Sequence, residues 1–247
     1  MMQIPTGELA DIHSDIDTVL AACKQSVPAT AALSSYDTDL PTLAQALQQL
    51  LDVMTRVESD LQASGDTTRA DITEIGEYAL QLQEALSAAV GRLGVSGQQQ
   101  TLAYLAINLA LWIARHSGQI ETLEPVADAI ALVANRSREP AELGRLTAVI
   151  REVMTGVSSL ISQDLEKMNP GRPWRVLLLN YGIVATRSHD ADLMEDAFAV
   201  LTSKLPEDAS RFFSEGMGQM EALDYPPHVR KVMEKYHSQW PVKRSLH

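Results

Sequence analysis

The chain has 247 residues, a formal net charge of −12 and an apolar fraction of 45%. An acidic surface repels a phosphate backbone, so no nucleic-acid partner is expected, and a single cysteine excludes an intrachain disulfide and a cysteine-rich metal site. No apolar run approaches the roughly eighteen residues of a membrane span, and no charged leader precedes an apolar stretch at the start, so we expect a cytoplasmic protein without membrane association.

Residue usage favours helices throughout the chain. Only three Phe, six Tyr and three Trp stand against many Ala, Leu, Gln and Glu residues. The abundant residues are good helix formers, and no segment shows the strict alternation of a half-buried strand. We therefore predict an all-α fold with no sheet.

The first predicted helix runs from about residue 6 to residue 25, with the Thr6 hydroxyl at its N-terminus. Its apolar side is formed by residues three and four apart, namely Leu9, Ile12, Ile16, Val19 and Cys23. Cys23 is thus interpreted as a small buried apolar residue and not as a nucleophile.

The same helix carries a cluster of polar residues that we considered as a metal site. His13 and Asp17 lie four residues apart, as do Asp11 and Asp15, and this spacing places each pair on one face. All four lie away from the apolar side. We therefore expect a solvated face and no metal.

The next two helices carry the clearest pattern in the sequence. The second starts near Asp39, which can cap it, and Pro41 fits its first turn. Apolar residues recur at alternating spacings of four and three in both helices, namely Leu43, Leu47, Leu50, Met54, Val57 and Leu61, then Ile72, Ile75, Ala79, Leu82, Leu86, Ala89 and Leu93. A turn at residues 64–67 separates the two runs. The pattern predicts an antiparallel helical hairpin.

Glycine, serine and glutamine at residues 91–100 interrupt this pattern and predict a domain boundary. We expect an N-terminal helical bundle or coiled-coil hairpin over residues 1–95 and a second helical domain over residues 101–247. Shorter helices are predicted there, at about residues 101–116, 120–135, 139–168, 173–187, 190–204, 206–223 and 227–239.

Part of the second domain resembles the tetratricopeptide repeat. Leu178, Tyr181, Gly182, Ala185, Met194, Phe198, Leu201 and Pro206 fall at the offsets at which that family places its characteristic residues. Most of these offsets recur 72 residues earlier, at Ala106, Leu109, Ala110, Ile113, Val126 and Ala129. The resemblance covers about residues 101–206 and implies stacked helix pairs, that is, an α-solenoid.

The resemblance also implies a binding surface on the inner helices. Family members that hold a peptide carboxylate use Lys, Asn and Arg there, whereas the corresponding positions in this chain are Ile107, Leu111, Leu179 and Ile183. We therefore expect an apolar groove in place of a carboxylate clamp. Arg115 and Arg187 supply the charge on this surface and are predicted partner-binding residues.

Residues 228–247 form a basic segment in which five Lys and Arg residues face Glu234 alone. Arg230, Lys231 and Lys235 are predicted to contact an acidic partner or the acidic body of the same chain. Trp240 lies beside them. An exposed tryptophan among basic residues can anchor a partner, so it completes the predicted partner-binding set.

No arrangement of residues predicts catalysis, a cofactor or a metal site. In His189-Asp190-Ala191-Asp192 we interpret Asp190 as a helix N-cap. Glu234 and His237 have a spacing used by carboxylate-bridged iron sites, but the second pair that such sites need is missing from the sequence.

The sequence leaves two classes of function open. The first hypothesis is a non-catalytic scaffold or adaptor module that binds another protein or a second copy of itself, with its acidic body steering a basic partner. The alternative is a helical carrier or sensor that holds a small ligand in an apolar pocket between helices.

Overall fold

A computed structural model describes residues 4–26, 39–63 and 67–241 of the chain. Within these residues the protein is all-α, as predicted. Its eleven described helices are α1 (Leu9–Ser26), α2 (Asp39–Ala63), α3 (Arg69–Arg92), α4 (Gln99–Arg115), α5 (Glu124–Arg136), α6 (Pro140–Gly156), α7 (Ser159–Ser162), α8 (Pro173–Arg187), α9 (Ala191–Lys204), α10 (Pro206–Ala222) and α11 (Pro227–Gln239). Among the described residues, no helix is both long enough and apolar enough to cross a bilayer.

One compact unit comprises Gln3–Val133 and Glu152–Leu165. In it α2 packs on α3, α3 packs on α4, and α1 contacts all three. The apolar residues of the predicted hairpin supply much of its core, with Leu47, Leu50, Met54, Val57, Ile72, Ala79, Leu82, Leu86 and Ala89 all buried. The central part of the predicted turn, residues 64–66, lies outside the described residues.

Helix α4 is at the centre of this unit and is buried on every side from Leu102 to Ile113, except at Tyr104. A Cβ on Gly76 would overlap the Ile113 side chain, so glycine allows α3 and α4 to approach closely. Trp112 is fully buried, and its indole Nε1–H donates to Glu58 at 3.0 Å. A helix with so broad an apolar surface requires neighbours all round.

The structure places the division between units elsewhere than the predicted boundary at residues 91–100. Because α3 and α4 pack against each other, that segment is a short connection inside the first unit. The units instead divide within α5, after Val133, within α6, after Arg151, and again after Leu165.

The second unit contains Ala134–Arg151 and the chain from Glu166 onward. In it α8 packs on α9, and α9, α10 and α11 contact one another. Four rings fill its centre, with centroids 5.0 to 5.7 Å apart, namely Phe198, Phe212, Phe213 and Tyr236. Gly182 lies against Phe212, where a side chain would clash. The α8–α9 pair carries the clearer copy of the tetratricopeptide pattern, and membership of that family stays a prediction.

One predicted helix is wrong in its length. The sequence suggested a single helix over residues 139–168, but α6 ends at Gly156 and α7 has four residues. Between them Val157 forms a parallel bridge with Ile120, in which the Ile120 N–H donates to the Gly156 carbonyl at 2.7 Å. Because Ile120 takes part in this bridge, α5 starts at Glu124 and not at residue 120.

The remaining helices of the second unit begin where the sequence indicated. Pro173, Pro206 and Pro227 each open a helix, because proline lacks the N–H that the first turn would leave unpaired. Asp190 caps α9, as predicted, by accepting from the Asp192 and Leu193 backbone N–H groups at 3.0 and 3.1 Å.

Candidate functional site

Two pockets lie along successive turns of α3 in the first unit. The first has a volume of about 780 Å³ and the second of about 530 Å³. We call these two pockets together the α3 groove. The first is lined by Arg69, Ala70, Thr73, Glu74, Glu77, Tyr78, Gln81, Gln119 and Glu121. The second is lined by Gln83, Glu84, Ser87, Ala88, Gln99, Leu102, Ala103, Glu124, Pro125, Asp128, Ala129 and Leu132.

The α3 groove is strongly acidic. Six carboxylates and one guanidinium, that of Arg69, line it. In the part of the chain that the structure describes, no Lys or Arg side chain forms an ion pair with Glu74, Glu84 or Asp128. Carboxylates clustered in this way produce a negative potential in the groove that attracts cationic groups.

One wall of the groove is fixed by hydrogen bonds to Glu77. One oxygen of its carboxylate accepts from the backbone N–H groups of Glu121 and Thr122 at 2.7 and 3.1 Å, and the other accepts from the Thr122 hydroxyl at 2.6 Å. Nearby, Gln119 N–H donates to the Thr73 hydroxyl at 2.9 Å. Because a charged acceptor holds two backbone donors, the α4–α5 connection is anchored to α3.

Two further side chains of the groove differ in their exposure to solvent. The Tyr78 side chain is 47% exposed in the first part and presents an aromatic face beside the carboxylates. In the second part Gln83 is only 6% exposed, and its amide nitrogen donates to the Leu102 carbonyl at 3.3 Å. Because that bond fixes the amide orientation, the Gln83 oxygen is left without a hydrogen-bond partner among the described residues.

This groove was not predicted from the sequence. Its α3 residues recur on the exposed face of an amphipathic helix, where charge ordinarily serves solvation. The available signal was the acidic spacing along α3, with Glu74, Glu77 and Glu84 separated by three and seven residues. The contribution of α5, through Glu124 and Asp128, depends on tertiary packing and has no local signal.

Arg115 is held by contacts inside the first unit. Its guanidinium forms a two-point ion pair with Glu152, at 2.6 and 3.0 Å, and donates to the Thr6 carbonyl. Glu8 lies 3.6 Å away. The side chain therefore fastens the segment before α1 to α4, and its predicted contact with a partner stays a prediction.

Arg187 is likewise engaged within its own unit. It donates to the Ala134 and Ser137 carbonyls at 2.8 and 2.6 Å. Ala134 lies in the last turn of α5 and Ser137 just after it, where unpaired acceptors need a donor. The predicted contact of Arg187 with a partner stays a prediction.

In the basic segment at residues 228–247, the residues up to Gln239 belong to α11, which packs on α9 and α10. Arg230 donates to the Met220 carbonyl at 2.9 Å, and Lys235 pairs with Glu195 at 2.8 Å. Lys231 is exposed and Trp240 is half-buried. Of the five basic residues, Lys243 and Arg244 lie outside the described residues.

The acids of α1 depart from the predicted solvated face at one position. Asp15 is half-buried and accepts from the Asn108 amide at 2.9 Å, while the Asn108 oxygen accepts from the Gly7 N–H at 2.9 Å. Burial raises the pKa of the Asp15 carboxyl to about 6, opposed by the Asn108 hydrogen bond and reinforced by Asp11. These contacts join the segment before α1 to α4.

Over residues 4–26, 39–63 and 67–241, no group of three or more His, Cys, Asp or Glu side chains could hold a metal ion. Cys23 is fully buried, and burial raises the pKa of its thiol. A thiol in that environment is a poor nucleophile.

Comparisons with known proteins give no further assignment: no protein-family model, no curated protein and no solved structure matches this chain.

Proposed function

We propose that the protein is a non-catalytic interaction module that binds a basic segment of another protein in the α3 groove. The supporting observation is the row of carboxylates along this groove without cationic partners among the described residues. A cytoplasmic location is part of the same proposal.

The chemistry of the groove limits what it can bind. Glu74, Glu84 and Asp128 favour Lys or Arg side chains. Tyr78 can stack against a guanidinium or pack against an aliphatic side chain. An amphipathic basic helix, or an extended basic segment, combines these groups within the length of a groove that follows α3.

Charge reversal in the groove tests the proposal. A fluorescent lysine-rich amphipathic peptide should bind the full chain, and the version with glutamine in place of lysine should not. The double variant Glu84→Lys and Asp128→Lys should weaken binding about tenfold or more, equivalent to about 1.4 kcal/mol, when measured by fluorescence anisotropy at moderate salt.

The matched control makes the same change of net charge outside the groove. Asp17→Lys and Asp60→Lys replace exposed acids on α1 and α2, neither of which lines the α3 groove. This variant should lose less than about threefold in affinity, since only long-range attraction changes. Equal losses in both double variants, or no saturable binding of the lysine peptide, would contradict a groove-specific site.

Self-association is the variant of this proposal in which the partner is a second copy. The exposed basic side chain of Lys231 could then meet the groove of another molecule. Light scattering across a range of protein concentrations measures this directly. A dimer that dissociates in the Glu84→Lys and Asp128→Lys variant would identify the partner segment as part of this chain.

A further inference from the structure

The second unit contains an apolar cavity of about 400 Å³ between α8, α10 and α11, which we call the Met233 cavity. Its apolar lining is formed by Ile183, Phe212, Met220, Leu223 and Met233. Pockets for small molecules run from roughly 300 to 1,000 Å³ and are lined mainly by such side chains. In size and lining the cavity therefore matches a site for a small, largely apolar molecule.

The mouth of the cavity leaves apolar surface in contact with water. Ile183 is 43% exposed and Leu223 is 52% exposed, and both belong to the small set of large apolar side chains that the described structure exposes. Single exposed apolar residues are ordinary, but two at the rim of one cavity form a patch whose burial by a ligand would be favourable.

One wall of the cavity contains a flexible side chain, that of Met233, packed over a glycine. Gly216, in the middle of α10, lies directly beneath the Met233 thioether, and a Cβ there would stand 2.6 Å from the Met233 sulfur. Glycine inside a helix is destabilising relative to alanine. Because methionine is unbranched and flexible, the glycine provides room for a side chain that can change conformation around a ligand.

The polar groups at the cavity favour an anionic end on the ligand. Tyr225 lines it, and its hydroxyl forms no hydrogen bond within the described residues. Arg187 also lines it, and its guanidinium is held in place by the neutral Ala134 and Ser137 carbonyls. No carboxylate among the described residues forms an ion pair with it. The acid at the cavity, Glu215, is paired with Arg211 at 2.7 Å.

The protonation state of Tyr225 suits this role. Burial raises the pKa of its hydroxyl, and the positive charge of Arg187 acts in the opposite direction. At neutral pH the phenol is therefore a neutral O–H donor. A carboxylate can accept from that donor while its charge faces the guanidinium.

We propose that the Met233 cavity binds a small amphiphilic monocarboxylate, of the class of a medium-chain alkanoate, with its chain against Met233 and its carboxylate towards Tyr225 and Arg187. This site lies in the second unit and does not depend on the α3 groove for its argument.

Isothermal titration of the full chain with decanoate, below its micellar concentration, tests the proposal. Decanoate should bind at one site, and 1-decanol, which lacks the charge, should bind at least about fivefold more weakly. Tyr225→Phe keeps the ring beside His189 but removes the hydroxyl, so it should weaken decanoate binding by about fivefold or more.

Two glycine variants of α10 distinguish an effect on the cavity from a general effect of substituting glycine in this helix. Gly216→Ala forces the Met233 thioether to move and should weaken decanoate binding by about fivefold or more. Gly218→Ala has open space around its Cβ and should leave binding unchanged. Absence of decanoate binding, tighter binding of 1-decanol, or equal binding by both glycine variants would overturn the proposal.

The lysine-peptide assay provides the remaining distinction. Tyr225→Phe and Gly216→Ala should leave peptide binding intact, while Glu84→Lys with Asp128→Lys should leave decanoate binding intact. The two binding assays therefore test the two proposals independently.

Discussion

The α3 groove and the Met233 cavity are held in shape by different forces. The α4–α5 wall of the groove is fixed by hydrogen bonds to the Glu77 carboxylate, whereas the cavity adjoins a cluster of aromatic rings and has a methionine side chain as one wall. Charge-assisted hydrogen bonds are directional, and apolar packing is not. A groove of the first kind suits selection of a partner by charge, and a cavity of the second kind suits selection by shape and volume.

The largest loss of stability is expected when a buried ring of the aromatic cluster in the second unit is removed. Phe213 is fully buried, with its ring 5.0 Å from Phe198 and 5.3 Å from Tyr236. Phe213→Ala should lower the free energy of unfolding by about 3–5 kcal/mol, because it removes buried apolar contacts and leaves a cavity. Urea unfolding measures the loss.

Hydrogen exchange on the same variant shows where the loss falls. Protection should decrease in α9, α10 and α11 more than in α1 to α4. Phe212→Ala, which truncates a half-buried ring of the same cluster, is the comparison variant and should cost less. Equal losses of unfolding free energy in the two variants would show that the burial of a ring does not determine its contribution to stability.

A smaller loss is expected when the polar wall of the groove is broken. Glu77→Ala removes the acceptor for two backbone N–H groups and one hydroxyl, so it should lower the free energy of unfolding by about 1–3 kcal/mol. Glu74→Ala, one turn away and exposed, should change it by less than about 0.5 kcal/mol. Amide exchange at residues 119–123 should accelerate in the first variant alone.

The stability of the first unit should also depend on pH, through the carboxyl group of Asp15. Burial raises the pKa of Asp15 from its ordinary value of 3.8 to about 6. Since the folded-state pKa is the higher one, the stabilising contribution is complete below about pH 4 and is lost as the pH rises through 6.

Asp15→Asn should therefore raise the free energy of unfolding at neutral pH, by about 1–2 kcal/mol after allowance for partial exposure, while the asparagine oxygen can still accept from Asn108. The gain should vanish below about pH 4. Asp17→Asn, an exposed position on the same helix, should show no such profile. A gain in Asp15→Asn that is independent of pH would contradict the assignment to a buried carboxylate.

The smallest effect compares the two glycines of α10. Gly218→Ala should raise the free energy of unfolding by about 0.5–1 kcal/mol through helix propensity, since its Cβ meets nothing within 4 Å. Gly216→Ala should gain less, because the Met233 thioether must move to make room. Thermal unfolding of the two variants side by side measures the difference, and equal gains would show that Met233 does not press on α10.

Helix positions were predictable where local chemistry marks their ends. Pro173, Pro206 and Pro227 open helices and Asp190 caps one, and these features act within a single turn. The end of α6 was not predicted, because Val157 leaves the helix to pair with Ile120, which lies far away in sequence. The preceding Gly156 was the available signal. A Cβ there would crowd Ala114 of α4.

The binding residues were harder to predict, because charge alone does not distinguish a free side chain from an anchored one. Arg115 and Arg187 were selected as free cations, yet both hold backbone carbonyls of their own unit. The carboxylates of the α3 groove received no prediction. Helices that are distant in sequence determine which charged side chains remain unpaired. This packing cannot be read from a single sequence.

The fully buried thiol of Cys23 gives this protein a built-in reporter of its own opening. A water-soluble disulfide reagent can react with this sole sulfhydryl only when α1 lifts away from the helices that cover it. The rate of labelling, compared with that of the unfolded chain, therefore gives the free energy of that local event without engineering or an attached dye. Measured with and without a bound peptide, it shows whether filling the α3 groove tightens the bundle around α1.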